Sequence, residues 1–313
     1  MTVFNGVYQI ITERILEKLS QGVVPWRRTW TGPEPFQNLV TRKPYRGINV
    51  FLLGMQGFGS PYWLTLKQAN RLGGTIPQES GIGQPQAAPR VCPRRGRITI
   101  RKGESGSVVV LWKWVEKTDP ETGEPAPAVP LLRYYRVWNM EQTEGIEVPK
   151  AEVIDFEPIE VAERIVREMP ERPPIVHQDP GKAWYDPWGD KVNLPRPETF
   201  EGPEEFYSCA YHELVHATGH KSRLSRPGVV DVVKFGGHAY SQEELVAEMG
   251  AAFLCAVAGI EQVTLENSAA YIDGWRKVIG DDPKLVVHAA AQAQKASDFI
   301  LGRRFEEKEE AGE

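Results

Sequence analysis

The chain has 313 residues, enough for one large or two ordinary domains, and its 41% hydrophobic and 25% charged content is that of a globular protein. No uncharged apolar run is long enough to span a bilayer and the N-terminus lacks a signal-peptide pattern. The three cysteines (Cys92, Cys209, Cys255) are far apart with no CxxC, so membrane and disulfide-stapled secreted classes are excluded and a cytoplasmic setting is expected. The net charge of −5 conceals an asymmetry: residues 1–150 hold 20 Lys and Arg against 12 Asp and Glu, residues 151–313 hold 17 against 30.

In chain order, residues 1–21 read as an amphipathic helix with Tyr8, Ile11, Ile15, Leu16 and Leu19 at helical spacing. A Pro- and Gly-bounded loop follows, carrying Trp26-Arg27-Arg28-Thr29-Trp30. Lys43-Pro44-Tyr45-Arg46-Gly47 leads into an apolar segment at 50–55, and a helix is predicted over 65–72, ending at Gly73-Gly74. Residues 75–97 look like a Pro- and Arg-rich inserted loop. The β-branched and aromatic runs 108–115 and 132–139 predict a long hairpin joined by the acidic, Pro-rich segment 116–130. Residues 146–154 read as a linker. Beyond it come a helix over 159–168, short strands at 174–177, 182–185 and 191–194, a helix over 203–218 ending at Gly219, a helix over 241–257 with Ser241 as N-cap and Gly259 as stop, a last helix over 284–301, and a charged tail at 303–313.

His212-Glu213-Leu214-Val215-His216, in the predicted helix 203–218, is the strongest chemical signal. Histidines four apart lie on one helical face and can share one metal ion, and the glutamate between them can hold and deprotonate an attacking water. A catalytic zinc site needs a third protein ligand and an open position. Position 222 is Ser222, which removes the HExxHxxGxxH option. His220 continues the series but lies roughly 12 Å along the helix from His212. The better candidates are on the next helix: Glu244 as ligand, with Glu248 supporting a ligand histidine, and with Glu248 and His238 as alternatives for the ligand itself. That arrangement is of gluzincin type. Tyr240, His238, Tyr185 and Tyr271 are available as a second electrophile, and strand 191–194 could offer its edge to an extended peptide.

The first half combines positive charge with six of the nine tryptophans (Trp26, Trp30, Trp63, Trp112, Trp114, Trp138), the ingredients of a single-stranded nucleic-acid groove. Trp63, Trp112 and Trp114 read equally well as core residues. Trp26, Arg27, Arg28, Trp30, Lys43, Tyr45, Arg46, Arg101 and Lys102 are the candidate DNA contacts.

The strings YQIITERILEKLSQGVVPWRRTW (8–30), WLTLKQANRLGG (63–74), RKGESGSVVVLWKW (101–114) and YYRVWNMEQTEGI (134–146) resemble the N-terminal domain of ArdC-type antirestriction proteins. The match resumes at AWYDPWGDKVNLP (183–195), YHELVHATGHKSRLSR (211–226), SQEELVAEMGAAFL (241–254) and AAAQAQKASDFIL (289–301). The resemblance implies a single-stranded-DNA-binding domain joined to a zincin-like metallopeptidase domain in a protein that protects incoming plasmid or phage DNA. The extra 75–97 loop departs from that pattern. The expectation is therefore a two-domain α+β protein. A small mixed α/β domain over 1–145 binds DNA, a linker spans 146–154, and a zincin-like domain over 155–302 holds zinc and acts on an unidentified peptide. The rival is a DNA-binding protector whose zincin domain is not catalytic.

Overall fold

The computed structural model describes residues 2–26, 35–72, 99–118, 125–145, 158–179, 181–230, 238–260 and 269–303. The chain packs as two compact units. One consists of residues 30–112 with 132–154, the other of residues 1–29, 113–131 and 155–313. The expected partition after residue 145 is thus not the partition of the packing. The 75–97 insertion, the 146–154 linker and the tail from 304 lie outside the described residues.

In chain order the elements begin with α1 (Thr2–Ser20), β1 (Gln37–Asn38), α2 (Ile48–Gly54), β2 (Tyr62–Thr65) and α3 (Leu66–Leu72). Then come β3 (Thr99–Ile100), β4 (Ser107–Thr118), β5 (Pro125–Asn139) and β6 (Thr143–Glu144). A four-stranded sheet has the order β1-β2-β5-β4, with β1 parallel to β2 and β2 antiparallel to β5. β3 and β6 form a separate antiparallel pair. The predicted hairpin is longer than expected, because the Pro-rich stretch after Pro125 is extended backbone rather than loop. Helix α3 starts where its sequence directs: Gln68 N–H donates to Thr65 Oγ1 and Thr65 N–H donates to Gln68 Oε1, a reciprocal cap. Trp63 is fully buried against Phe36 and Phe58, so it is a core residue.

The other unit continues with α4 (Pro158–Glu168), β7 (Ile175–Val176), β8 (Trp184–Asp186), β9 (Lys191–Asn193), α5 (Pro203–Thr218), the single turn α6 (Pro227–Val230), α7 (His238–Ala258), α8 (Ala269–Asp281) and α9 (Leu285–Ile300). Its three-stranded sheet has the order β7-β9-β8. β9 pairs on both sides, so the expected free edge at 191–194 does not exist, and β8 is an edge instead. Helix α8 had no counterpart in the sequence reading. Helix α7 begins at His238, which puts Ser241 inside it and not at its N-cap. It ends as predicted: Gly259 is left-handed (φ +74°), and Ile260 N–H reaches Cys255 O at 3.1 Å.

Helix α7 is buried along most of its described length and packs against α5 and α9. Its apolar run from Leu245 to Ala258, broken only by Glu248 among charged residues, accounts for that burial. Helix α1 packs on α8 and α9, burying Val7, Tyr8, Ile11, Ile15 and Leu19, with Thr12 Oγ1 donating to Pro283 O at 2.8 Å. The amphipathic stripe read from the sequence is correct, but what it covers is the helical unit. No helix among the described residues is long and apolar enough to cross a membrane.

Candidate metal centre

Helix α5 starts with Pro203 in its first turn and Glu204 and Glu205 beside its positive end, a favourable N-terminus. Leu214 and Val215 of the central motif are fully buried in the core. His212, Glu213 and His216 line a cavity of about 620 Å³, with Glu243, Glu244, Tyr185, Trp184 and Trp188 among its other walls.

The two imidazole Nε2 atoms face each other at 3.2 Å. The Glu244 carboxylate lies 3.6 Å from His212 Nε2 and 3.7 Å from His216 Nε2. Ligands at about 2.0–2.1 Å from a tetrahedral zinc are roughly 3.3 Å apart, so these separations need only small adjustments to enclose one ion. His212, His216 and Glu244 are the only such group found among the described residues. Two imidazoles and one carboxylate also leave a fourth position open. Burial disfavours a charged His212, but the hydrogen bond to Glu244 and the charges of Glu213, Glu244 and Glu248 outweigh it and push its pKa up to about 9. The pocket is therefore electrostatically prepared for a cation.

The other candidates fall elsewhere. His220 pairs with Ser222, its Nδ1 lying 2.8 Å from Ser222 Oγ, and it is not in the ligand group. Glu248 is likewise outside that group; it accepts from Trp26 Nε1 at 2.7 Å and from the Tyr271 hydroxyl. Its burial pushes its pKa up to about 7 against the opposing effects of Tyr271, His212 and Trp26. The side chains of His238 and Tyr240 lie outside the described residues. Tyr185 lines the cavity and donates to Asp190 Oδ1 at 2.9 Å. Burial first, and then Asp190, raise its pKa, so its hydroxyl stays protonated.

Two functional candidates escaped the sequence reading. His216 Nδ1 faces Glu243 Oε1 at 3.3 Å, and Glu243 in turn accepts from buried Arg226 at 2.6 and 3.0 Å. Arg226 also donates to Thr218 Oγ1 and Val215 O, capping the C-terminal end of α5. Burial alone would raise the Glu243 pKa, but His216 and Arg226 hold it below the usual carboxylate value. An ionised partner on Nδ1 fixes His216 in the tautomer that presents Nε2 to a metal. The signal was present as adjacent glutamates in Gln242-Glu243-Glu244, but which one meets which histidine depends on how α7 lies against α5.

Trp26 overturns an expectation. It is fully buried in the helical unit, edge-on to Trp275 at 5.8 Å and bonded to Glu248, so it is not a surface for stacking bases. Arg27, Arg28 and Trp30 lie outside the described residues. Lys43, Arg101 and Lys102 are exposed and Tyr45 and Arg46 half-buried, with Arg101 paired to Glu104 at 2.9 Å. On β5, Arg133, Tyr134, Tyr135 and Arg136 are all exposed, a basic and aromatic group that the sequence reading treated only as strand.

Residues 160–292 match the family of zincin-like metallopeptidases, and residues 5–138 match the N-terminal domain of anti-restriction factor ArdC. Two DNA primases TraC from Escherichia coli are 31% and 32% identical over 323 and 324 residues. These alignments cover 96% of this chain but only 27% and 20% of the primases, so the chain spans at most about a quarter of their length. The metal-free crystal structure of antirestriction ArdC protein from the R388 plasmid superposes with a TM-score of 0.71 at 30% identity, over 95% of this chain and 99% of that one. The Mn(II)-bound structure of the same protein gives 0.68 at 30% identity, over 94% and 97%. The chain accordingly belongs to the ArdC antirestriction family, with an ArdC N-terminal domain followed by a zincin-like metallopeptidase domain.

Proposed function

We propose that the protein is an antirestriction factor that binds single-stranded DNA and hydrolyses peptide bonds at a zinc centre held by His212, His216 and Glu244. The observation that carries the peptidase reading is the convergence of these three donors, 3.2 to 3.7 Å apart, beside Glu213 in one cavity. A divalent cation in this position supplies Lewis acidity, acidifying water and polarising a carbonyl. Glu213, largely buried at the cavity wall, accepts the proton of the attacking water and returns it to the departing amine. Glu243 and Arg226 keep His216 oriented. The edge strand β8, whose Trp184 and Tyr185 line the cavity, is where an extended peptide would pair.

The DNA-binding reading rests on the exposed basic and aromatic side chains Lys43, Arg101, Lys102, Arg133, Tyr134 and Arg136, supplemented by the Arg27-Arg28 segment. Positive charge tracks phosphates, and rings stack on bases without sequence preference. Replacing Tyr134 by Ala is expected to weaken oligo-dT binding by about 1–3 kcal/mol, the cost of one lost stacking platform.

The decisive experiment compares Glu213→Ala with His212→Ala. Glu213→Ala should retain one metal per chain and lose proteolysis of an unfolded protein substrate, while His212→Ala should lose the metal. Full proteolysis by metal-loaded Glu213→Ala would overturn the peptidase reading. Protection of transferred DNA that survives Glu213→Ala would assign protection to DNA binding alone.

A further inference from the structure

We infer that Trp26 is a positioning residue of the metal centre, and that the segment leading to the Trp26-Arg27-Arg28 motif is a built part of that centre. Trp26 leaves α1 through a short turn and inserts its ring between α7 and α8, where it is fully buried. Its indole N–H donates to Glu248 Oε2 at 2.7 Å, and the Tyr271 hydroxyl donates to the same oxygen. Trp275 meets Trp26 edge-on at 5.8 Å and Tyr271 at 6.2 Å, which fixes both donors.

Glu248 lies one helical turn beyond the ligand Glu244, on the face of α7 that looks toward α5. A buried carboxylate without donors would turn away or attract a proton, whereas two donors on one oxygen hold it in a single orientation. The geometry thus gives Trp26 a specific task. It holds the Glu248 carboxyl group in one orientation, one helical turn from the ligand Glu244, and so steadies α7 where that ligand is presented.

The position of Trp26 has a consequence for the whole chain. It directly precedes Arg27 and Arg28 in the sequence, so DNA held at those arginines would act on a backbone whose neighbouring residue is hydrogen-bonded to Glu248. The inference rests on His212, His216 and Glu244 holding the ion, and the experiment separates the two. Zinc affinity of the full-length protein is measured by competition with a chromophoric chelator, and the visible absorption of the Co(II)-substituted protein is recorded, both without peptide or DNA.

Trp26→Phe, which keeps the ring and removes the donor, is expected to weaken zinc binding about 10-fold and to shift the Co(II) bands. Tyr271→Phe removes the other donor and serves where Trp26→Phe lowers folding yield. In a Glu248→Gln background both effects should vanish, because the carboxylate they position is gone. Unchanged zinc affinity in both variants, or equal losses in the Glu248→Gln background, would overturn the inference. A wild-type chain that takes up no ion would overturn the metal-site reading itself, and the inference with it.

Discussion

Asp190 shows how single residues shape the rim of the cavity. It joins Arg223, Tyr185 and, at 3.9 Å, His220, tying the β8–β9 turn to the segment after α5. Burial disfavours its charge, but Arg223 and Tyr185 prevail and its pKa is lowered. A carboxylate whose folded pKa lies below its unfolded one, about 3.9, stabilises the fold above that pH and loses the contribution as pH falls through the folded value. Arg223 is almost fully buried while Asp190 is about one-third exposed, so removing the carboxylate leaves a buried cation. Asp190→Asn should therefore cost about 2 kcal/mol at pH 7, discounted for partial exposure from the 3–5 kcal/mol of a fully buried pair. The difference from wild type should shrink as pH falls from the ordinary carboxylate value of about 3.9 through the lowered folded one, read by urea unfolding at each pH. A constant difference across that range would refute the assignment.

Among the helices, two glycines make opposite predictions. A Cβ on Gly250 would stand 2.7 Å from Val215 Cγ2 and 2.9 Å from Cγ1, in the contact between α7 and α5. Val215 is β-branched and fully buried, so it has no room to turn aside. Overpacking of about 1–3 kcal/mol then exceeds the gain of about 1 kcal/mol in helix propensity, and Gly250→Ala should lower Tm and loosen the candidate metal site. Gly274 on α8 meets nothing within 4 Å, so Gly274→Ala should raise stability by about 0.5–1 kcal/mol. Gly219 belongs to the first class. Its φ of −74° suits any residue, and glycine is needed because Val229 Cγ2 would lie 2.4 Å from a Cβ. Its place at a helix end suggested a left-handed stop, but the cause is packing.

At the scale of the molecule, the first helix belongs with the last ones. Val7, Ile11, Ile15, Leu19 and Trp26 are buried in the unit that carries His212, His216 and Glu244. Each such side chain contributes about 1.5–3 kcal/mol, a sum comparable with the whole stability of about 5–15 kcal/mol of a typical domain. Residues 155–302 expressed alone should therefore lack a cooperative thermal transition, and a fragment restoring residues 1–29 by fusion should regain it. Cooperative unfolding of 155–302 at the full-length Tm would refute this division.

The helix that carries His212, Glu213 and His216 on one stretch was legible in the sequence because HExxH spacing and helical periodicity are local properties of the chain. So were the amphipathic stripe of α1 and the stop at Gly259. The role of Glu243, the partners of Glu248, the paired position of β9 and the burial of Trp26 were not. Each depends on which distant segment a side chain meets, and residue type alone does not specify that. Arginine-flanked tryptophan reads as a nucleic-acid platform until an acceptor 222 residues away takes its N–H. The sequence by itself determined the chemistry available at the site. Only the tertiary packing of the helices decided which side chains Glu243, Glu248 and Trp26 meet, because that packing sets the distances over which hydrogen bonds and charges act.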